Sequence, residues 1–218
     1  MDYRGTPANL RADWHLTRDW ELFQSVESGA SDHLFRIWDV PEPVVVAGRS
    51  NRLEDWVQFD ACRRDNVPVL RRFSGGGAVV LAPGCLNYAV AISLVSRPEL
   101  ADVGSSLCFV LQHIVAAFGL TGLAISAPSD LSLDGLKVSG NAQRRGRRAM
   151  LQHGTILHAF DATLAARYLA PPPREPAYRQ RRSHEAFMGN VPLPEGIVRE
   201  RLTAALAATH SSFQDVCR

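Results

Sequence analysis

Three short strings contain residue types that suit chemistry on a phosphate or a carboxylate: RRFSGGGAVV at 71–80, SDLSLDGLKVSGNAQ at 129–143 and LQHGTIL at 151–157. Successive glycines between strands present backbone N–H groups without an obstructing Cβ, which suits an anionic ligand. Tight hairpins also use glycine, so the triple glycine alone leaves both interpretations open. The adjacent Arg71 and Arg72 favour the anion site, because a guanidinium group can donate two hydrogen bonds to one phosphate or carboxylate.

The glycine segment differs from two common nucleotide-binding motifs. It lacks the GxxxxGKS/T spacing of a P-loop, and it lacks a GxGxxG string that opens a helix. A predicted strand follows the glycines instead. The sequence therefore predicts an anion-binding turn between strands.

Lys137 is the only lysine among the 24 basic residues of the chain, and all of the others are arginine. A compositional bias explains the arginines but not this exception. Lysine suits a position where a compact charge contacts both a carbonyl oxygen and a phosphate, and the planar guanidinium group of arginine does not. Lys137 is therefore the candidate catalytic residue, and a solvated surface lysine is the alternative.

The residues near Lys137 in the strings leave two interpretations open. Gly140 and Ala142 are small, which leaves room either for a ligand or for ordinary close packing. Asp130 is a candidate for holding a metal-bound nucleotide, or it begins a strand. His153 is a candidate ligand contact, and a hydrogen-bonded core histidine is the alternative.

Length and composition limit the class of protein. A chain of 218 residues with 46% hydrophobic and 21% charged residues is expected to form one sizeable folded domain. Its apolar stretches are short and its N-terminus has no apolar core, so neither a membrane span nor a signal peptide is predicted. The four cysteines show no CxxC spacing and are interpreted as reduced thiols of a cytoplasmic protein.

The net charge of +2 conceals an uneven distribution of charge. Residues 1–60 are mainly acidic, whereas residues 136–185 are mainly basic. The basic region is either a solvated surface or a docking surface for phosphates or an acidic partner. Nucleic acid is not an expected partner, because no stacking platform or helix-turn-helix pattern accompanies the arginines.

The three strings must be positioned by strands and turns. Helices are predicted at 17–28, 53–64, 98–119, 162–168 and 196–208, and strands at 33–40, 43–48, 67–73, 78–82, 86–95, 121–126, 130–133, 136–143 and 149–160. Pro83 and Gly84 are predicted to join two of the strands as a hairpin. Runs of strands with helices inserted between them favour an α+β domain.

In this order, RRFSGGGAVVLAPGCLNY, SDLSLDGLKVSGNAQRR and LQHGTIL resemble the lipoate-protein ligase A family, which is related to octanoyltransferases and biotin-protein ligases. The resemblance extends from about Phe35 to Asp161. It implies an α+β catalytic domain with a mixed, mainly antiparallel sheet flanked by helices. It also implies that lipoate and ATP, with Mg²⁺, form lipoyl-AMP, and that the lipoyl group passes to a lysine of an acceptor domain.

The resemblance assigns roles to individual residues. Lys137 is implied as the catalytic residue that contacts the carboxylate oxygen and the α-phosphate. The implied ATP- and lipoate-binding residues are Arg72, Ser74, Gly75, Gly76, Gly77, Ala78, Val79, Val80, Asp130, Gly140, Asn141, Ala142, His153, Gly154 and Thr155. Asp130 matches the aspartate of the family's Asn-Asp pair, and Ser129 replaces the asparagine. Mg²⁺ is expected to be held through ATP, with Asp130 as a candidate ligand.

Cysteine positions separate the functions within this superfamily. Octanoyltransferases use a cysteine relay, placed either upstream of the lysine motif or after the HG motif, and the stretches GLAISAPSD and LAPPPREP contain no cysteine here. Cys85, in the predicted hairpin, leaves a thioester route as an alternative to a buried thiol. A lipoate ligase is therefore predicted. The alternatives are an acyltransferase moving octanoyl or lipoyl groups between carrier proteins and a noncatalytic lipoyl-binding accessory protein.

The resemblance also implies domain limits and partners. The catalytic domain is expected at 1–170, and residues 171–218 as a tail or lid with a terminal helix in the same domain. Because the family's usual C-terminal accessory domain is not expected here, a separate accessory subunit is an expected partner. The segment YRQRRSHEAF is predicted either to close over the site or to pack as a tail. The expected acceptor is a 2-oxoacid dehydrogenase subunit, a glycine-cleavage carrier or another lipoylated protein.

Overall fold

The computed structural model describes residues 11–127 and 129–210. The helices in these ranges are α1 (Ala12–Glu27), α2 (Phe59–Arg64), α3 (Val103–Phe118), α4 (Ala162–Tyr168), α5 (His184–Phe187) and α6 (Glu195–Ala208). The strands are β1 (His33–Trp38), β2 (Val44–Ala47), β3 (Val69–Arg71), β4 (Ala78–Leu81), β5 (Cys85–Ser93), β6 (Leu123–Ser126), β7 (Asp130–Leu133), β8 (Leu136–Arg145) and β9 (Ala149–Leu157). Among the described helices, none is both long and apolar enough to cross a membrane.

The strands form two sheets. The larger sheet has six antiparallel strands in the order β1-β5-β9-β8-β7-β6, and the smaller has the order β3-β2-β4. Within the smaller sheet, β2 pairs with β3 in parallel and with β4 in antiparallel orientation. The predicted α+β fold with a mixed, mainly antiparallel sheet flanked by helices is confirmed.

Helices cover both faces of the larger sheet, and the side chains of β5, the strand between β1 and β9, alternate between the two faces. Val90 and Ile92 face a core that contains residues of α3 and α6, such as Ile114 and Leu202. The alternate positions carry small alanines, which pack with Phe23 and neighbouring side chains of α1. Small side chains let α1 approach the sheet closely, so the strands that carry the predicted site residues are held from both sides.

Two predicted helices are divided in the structure. The helix predicted at 98–119 consists of a short 3₁₀ turn, Pro98–Leu100, and α3. The helix predicted at 53–64 is divided into a short 3₁₀ turn, Leu53–Asp55, and α2. Val57 lies between the two parts, where it bridges to Leu169, and this pairing interrupts the helix.

The strands on either side of Pro83 and Gly84 do not form the predicted hairpin. β4 pairs with β2 in the smaller sheet, whereas β5 pairs with β1 and β9 in the larger one. Gly84 has φ +82°, and its carbonyl oxygen accepts hydrogen bonds from the amides of His158 and Ala159. A Cβ at this position would overlap the backbone of Ala159, so the glycine allows the chain to cross from one sheet to the other.

Candidate active site

A cavity of about 480 Å³ is lined by strands of both sheets, by the glycine segment and by the chain after α4. Its volume lies within the range of roughly 300–1,000 Å³ that is usual for small-molecule sites. The predicted site residues that line it are Arg72, Gly76, Gly77, Ala78, Val79, Val80, Asp130, Lys137, Gly140, Asn141, Ala142, His153, Gly154 and Thr155. The structure therefore brings residues of all three strings together, and only Ser74 and Gly75 of the predicted set lie outside the lining.

Lys137 lies at the beginning of β8 and reaches across to β7. Its Nζ is 2.8 Å from Oδ1 of Asp130, and the Asp130 side chain is 8% exposed. Gly140, which pairs with Asp130 across the two strands, makes this reach feasible. A Cβ at position 140 would lie 3.1 Å from both Cε and Nζ of Lys137, so a larger residue would displace the lysine.

The side chain of Arg72 holds the glycine segment through hydrogen bonds. Its guanidinium group donates hydrogen bonds to the carbonyl oxygens of Gly75 (2.6 Å), Gly77 (2.8 Å) and Val46 (3.1 Å), and to Oγ of Ser74 (3.0 Å). Burial lowers the pKa of Arg72 to about 10, which leaves the group protonated at neutral pH. In this arrangement Arg72 lines the cavity and holds the glycine segment, and its role in binding ATP or lipoate stays a prediction.

Arg71 is engaged in the same way. Its Nη1 donates to the carbonyl oxygens of Gly48, Arg49 and Asn51 at 2.9–3.0 Å. Arg72 therefore organises the glycine segment, whereas Arg71 holds the segment at 48–51. The C=O of Gly75 and the N–H of Gly76 belong to one peptide unit, in which the two groups point in opposite directions. Because the carbonyl oxygen of Gly75 is bound to Arg72, the N–H of Gly76 points away from the guanidinium group.

His153 links the glycine segment to β9. Its Nε2 lies 2.5 Å from Oγ of Ser74, and its Nδ1 lies 3.8 Å from Oδ2 of Asp19. Burial lowers the pKa of His153, so the imidazole is neutral at neutral pH. Although serine, histidine and aspartate adjoin, the Ser74 side chain is buried and lies outside the cavity lining. The arrangement therefore positions the loop rather than presenting a nucleophile.

A second set of hydrogen-bonded polar side chains surrounds Asn141, which lines the cavity. Its side-chain amide donates to the carbonyl oxygen of Ser129 (2.9 Å) and to Ser139 Oγ (3.0 Å). Its Oδ1 accepts a hydrogen bond of 2.6 Å from the hydroxyl of Tyr88, which in turn accepts one from Gln152. Asn141 thus fixes the residue immediately before Asp130.

One part of the cavity is apolar. Its lining includes Leu16, Trp38, Leu157, Ala165 and Leu169, which come from α1, β1, β9 and the region of α4. A ligand with an anionic end and an apolar chain matches a cavity that joins this region to Lys137.

Residues 171–188, named here the C-terminal cover, close one side of the cavity. The lining residues of the cover are Pro172, Arg174, Glu175, Pro176, Arg179, His184, Phe187 and Met188. The hydroxyl of Tyr178 donates to Oδ2 of Asp130 at 2.9 Å, and Met188 bridges to Lys137. The cover thus lies against the predicted catalytic strand.

Sequence reasoning missed Asp19, Tyr88 and Tyr178. Asp19 carries a detectable signal, because a carboxylate lies one turn before Phe23 on the inward side of α1, where apolar residues are expected. Tyr88 lies inside an apolar strand and Tyr178 in an irregular segment, so neither belongs to a pattern that indicates its contact.

The described cysteines do not line the cavity. Cys85 is 1% exposed, and burial raises the pKa of its thiol to about 12. Neither Cys85 nor Cys62 nor Cys108 is among the lining residues, and Cys217 lies outside the described residues. A relay through a described thiol therefore has no support in this geometry.

With this fold and site in place, comparison with known proteins gives the class. Residues 12–209 match the family of lipoyl protein ligase A/B catalytic domains. The chain belongs to this family, whose named relatives divide between lipoate ligases and octanoyltransferases.

Two curated relatives illustrate the division. A protein of Aeropyrum pernix that carries a provisional lipoate-protein ligase A name is 30% identical over 152 residues, which cover 69% of this chain and 54% of the relative. The octanoyl-GcvH:protein N-octanoyltransferase of Kyrpidia tusciae is 27% identical over 173 residues, which cover 71% of this chain and 59% of the relative. In each case the chain spans less than two thirds of the relative's own length.

Two solved structures share the fold. A lipoate-protein ligase A bound with ATP superposes with a TM-score of 0.73 at 20% identity, covering 89% of this chain and 79% of the other. A bi-partite lipoate protein ligase of Thermoplasma acidophilum, studied with its E2 lipoyl domain, superposes with a TM-score of 0.71 at 21% identity and the same coverage.

Proposed function

We propose that this chain is the catalytic domain of an ATP-dependent lipoate-protein ligase, which forms lipoyl-AMP and then transfers the lipoyl group to a lysine of an acceptor domain. The observation that carries the proposal is the cavity itself. It joins an apolar region to Lys137 and the glycine segment, and no described cysteine lines it.

The first step is attack of the lipoate carboxylate on the α-phosphorus of ATP. A carbon–oxygen–phosphorus anhydride forms, the bond to the β-phosphate breaks, and pyrophosphate leaves. Two anionic groups must approach each other, so a fixed ammonium group and oriented N–H groups lower the barrier. Lys137 supplies the ammonium group, and the Gly76 N–H is turned away from Arg72.

The second step is attack of the acceptor's lysine amine on the carbonyl carbon of lipoyl-AMP. An amide bond forms, the anhydride bond breaks, and AMP leaves with the electron pair while the amine loses a proton. Lys137 polarises the same carbonyl oxygen. Both steps proceed without a covalent bond to the enzyme.

The ion pair between Lys137 and Asp130 constrains the first step. A phosphate that binds Lys137 competes with a carboxylate oxygen 2.8 Å from Nζ. The ammonium group has three N–H donors, so Lys137 can keep Asp130 and contact the ligand with another N–H. Asp130 thus holds the amine in place rather than blocking it.

The carboxylates near Lys137 fit a protein-bound magnesium site poorly. Among the described residues, no group of three or more His, Cys, Asp or Glu side chains could hold a metal ion. Both oxygens of Asp130 are engaged, one by Lys137 and one by Tyr178. Mg²⁺ binds nucleotide phosphates with few protein ligands, so the ion is expected to be held mainly through ATP.

ATP-independent transfer of an octanoyl or lipoyl group is the second candidate, because octanoyltransferases are among the relatives. Such transfer through a thioester needs an accessible thiolate. The burial of Cys85 and the raised pKa of its thiol argue against it in this role.

The partners belong to the same proposal. The acceptor is a lipoyl domain of a 2-oxoacid dehydrogenase subunit, a glycine-cleavage carrier or another lipoylated protein. The bi-partite ligase of Thermoplasma acidophilum supports a separate accessory subunit as a second partner.

Lipoate-dependent exchange of labelled pyrophosphate into ATP tests the function. We expect exchange by this chain alone or together with an accessory subunit. Transfer from an octanoyl carrier protein without ATP, in the absence of any exchange, would replace the ligase with the second candidate. Neither exchange nor transfer would indicate a noncatalytic lipoyl-binding protein.

A further inference from the structure

The carboxylate of Asp130 is shared between two elements that are far apart in sequence. Oδ1 accepts from Nζ of Lys137 at 2.8 Å, and Oδ2 accepts from the hydroxyl of Tyr178 at 2.9 Å. The Asp130 residue is 6% exposed. With one oxygen held by each partner, the carboxylate cannot turn without losing a charge-assisted hydrogen bond.

Tyr178 is itself held by the C-terminal cover. Its ring packs against Phe187 at 5.0 Å between centroids, and Phe187 is 2% exposed. The guanidinium groups of Arg179 and Arg182 lie 4.9 and 5.2 Å from the Phe187 ring. Burial and the neighbouring Asp130 raise the pKa of Tyr178, so its hydroxyl remains a proton donor throughout the neutral range.

The cover also binds the strand of the lysine directly. The amide of Gly189, which follows the cover, donates to the carbonyl oxygen of Lys137 at 2.9 Å, and Arg182 donates to the carbonyl oxygen of Gly135 at 3.0 Å. The main chain of Lys137 is therefore secured by the cover, while its side chain is secured by Asp130.

We propose that Tyr178 is a positioning residue for Lys137: by holding Oδ2 of Asp130, it orients Oδ1 toward Nζ, so that the lysine is aligned only while the cover is seated. The inference rests on the proposed function for the role of Lys137 in the reaction. The contacts themselves can be tested without any activity. Tyr178 touches neither reacting group, and it acts through Asp130.

The single lysine allows a direct measurement. Acetylation of Lys137 by acetic anhydride, followed by mass spectrometry of the peptide that contains it, reports one side chain. We expect Tyr178→Phe to increase the acetylation rate about tenfold, the change associated with loss of a hydrogen bond to a charged group. Tyr168→Phe is the matched control, because Tyr168 lies near another aspartate, Asp65, and is not among the residues that line the cavity, so it should leave the rate unchanged.

A double-mutant cycle shows whether Tyr178 acts through Asp130. In an Asp130→Asn background, adding Tyr178→Phe should change acetylation by less than about twofold, since the shared carboxylate is gone. A full tenfold effect in that background would overturn the inference, because Tyr178 would then act by seating the cover alone. An unchanged rate in the Tyr178→Phe single variant would overturn it as well.

Pyrophosphate exchange supplies the catalytic readout. Tyr178→Phe should lower kcat about tenfold and change KM for lipoate less than about twofold, because the lysine is misaligned while the acyl region is intact. A change in KM with kcat preserved would contradict a positioning role. If the unmodified chain fails to exchange both alone and with an accessory subunit, the proposed function fails, but the acetylation result still decides whether Tyr178 orients Lys137 through Asp130.

Discussion

Lys137 combines a compact charge with limited space. Its Nζ approaches Asp130, and a Cβ at position 140, where the chain has glycine, would lie only 3.1 Å from the amine. A guanidinium group is wider than an ammonium group and presents its donors in a rigid plane. We therefore expect this position to require lysine, although every other basic position in the chain is arginine.

Replacing Lys137 with arginine tests this requirement. We expect the Lys137→Arg variant to fold with nearly unchanged stability and to lose lipoate-dependent pyrophosphate exchange by at least about a hundredfold, because the charge is kept but its position is not. Denaturant unfolding and the exchange assay provide the two measurements. Exchange at the original rate would exclude the role assigned to Lys137.

The sequence predicted the residues of the site better than their contacts. Lys137 and the glycine segment were identifiable because residue type and local spacing indicate their chemistry. The hydrogen bonds of Arg72 to the carbonyl oxygens of the glycine segment were not predictable, because a sequence does not show on which side of a turn a guanidinium group lies. Tyr178 lies 48 residues from Asp130, so their hydrogen bond depends on a tertiary contact that no local pattern encodes.

At the scale of the elements, β8 places Lys137 near one end of the strand and the arginine-rich turn between β8 and β9 at the other. Lys137 and Arg145 are eight positions apart on one strand, a separation of about 26 Å at the usual rise per residue. Arg145 donates to the carbonyl oxygens of Leu100 and Ala101 at 2.9 and 2.6 Å. The arginine at this end of the hairpin therefore ties the turn to the segment before α3.

Arg145 and Arg147 should differ in their effect on stability. We expect Arg145→Gln to lower the free energy of unfolding by about 2 kcal/mol, because two carbonyl oxygens lose a charged donor. Arg147→Gln is the matched control and should change stability by less than about 0.5 kcal/mol, since its side chain is exposed. Urea unfolding distinguishes the two, and equal losses would show that Arg145 is an ordinary surface residue.

The elements themselves were predicted more accurately than their pairing. The strands on both sides of Pro83 and Gly84 were correctly placed, but they belong to different sheets. Local patterns indicate a strand and a turn, whereas the choice of sheet depends on β2, which lies more than 30 residues earlier in the chain. The glycine segment and the cavity depend on that choice, so the shape of the site was not predictable from the sequence.

At the scale of the whole molecule, two histidines are expected to make the stability of the fold depend on pH. Burial lowers the pKa of His15 and that of His33 to about 4, each from an ordinary value of 6.5. Arg36 lies against His15, and Thr209 accepts or donates a hydrogen bond at His33. In the folded chain, both rings therefore stay neutral at a pH at which the same histidines of the unfolded chain begin to bind protons.

Stability should consequently decrease on acidification. Between pH 6.5 and 4 the unfolded state binds more protons than the folded state, so the free energy of unfolding falls as pH falls. The two pKa shifts together correspond to about 5 kcal/mol over this interval, and because both rings are partly screened by solvent we expect a loss of roughly 3 kcal/mol. Denaturant unfolding at a series of pH values measures the loss, and His33→Asn should reduce the slope. A profile that stays flat down to pH 4 would contradict the burial argument.

The position of the single lysine has a consequence for chemical self-damage. Acyl adenylates modify neutral primary amines, whereas a guanidinium group remains protonated and does not compete as a nucleophile. Lys137 lines the cavity, and the remaining basic side chains are arginine. In the proposed reaction, an activated acyl group that escapes from the cavity meets no second lysine in this chain, so the side chains of the domain itself would be spared the modification intended for the acceptor.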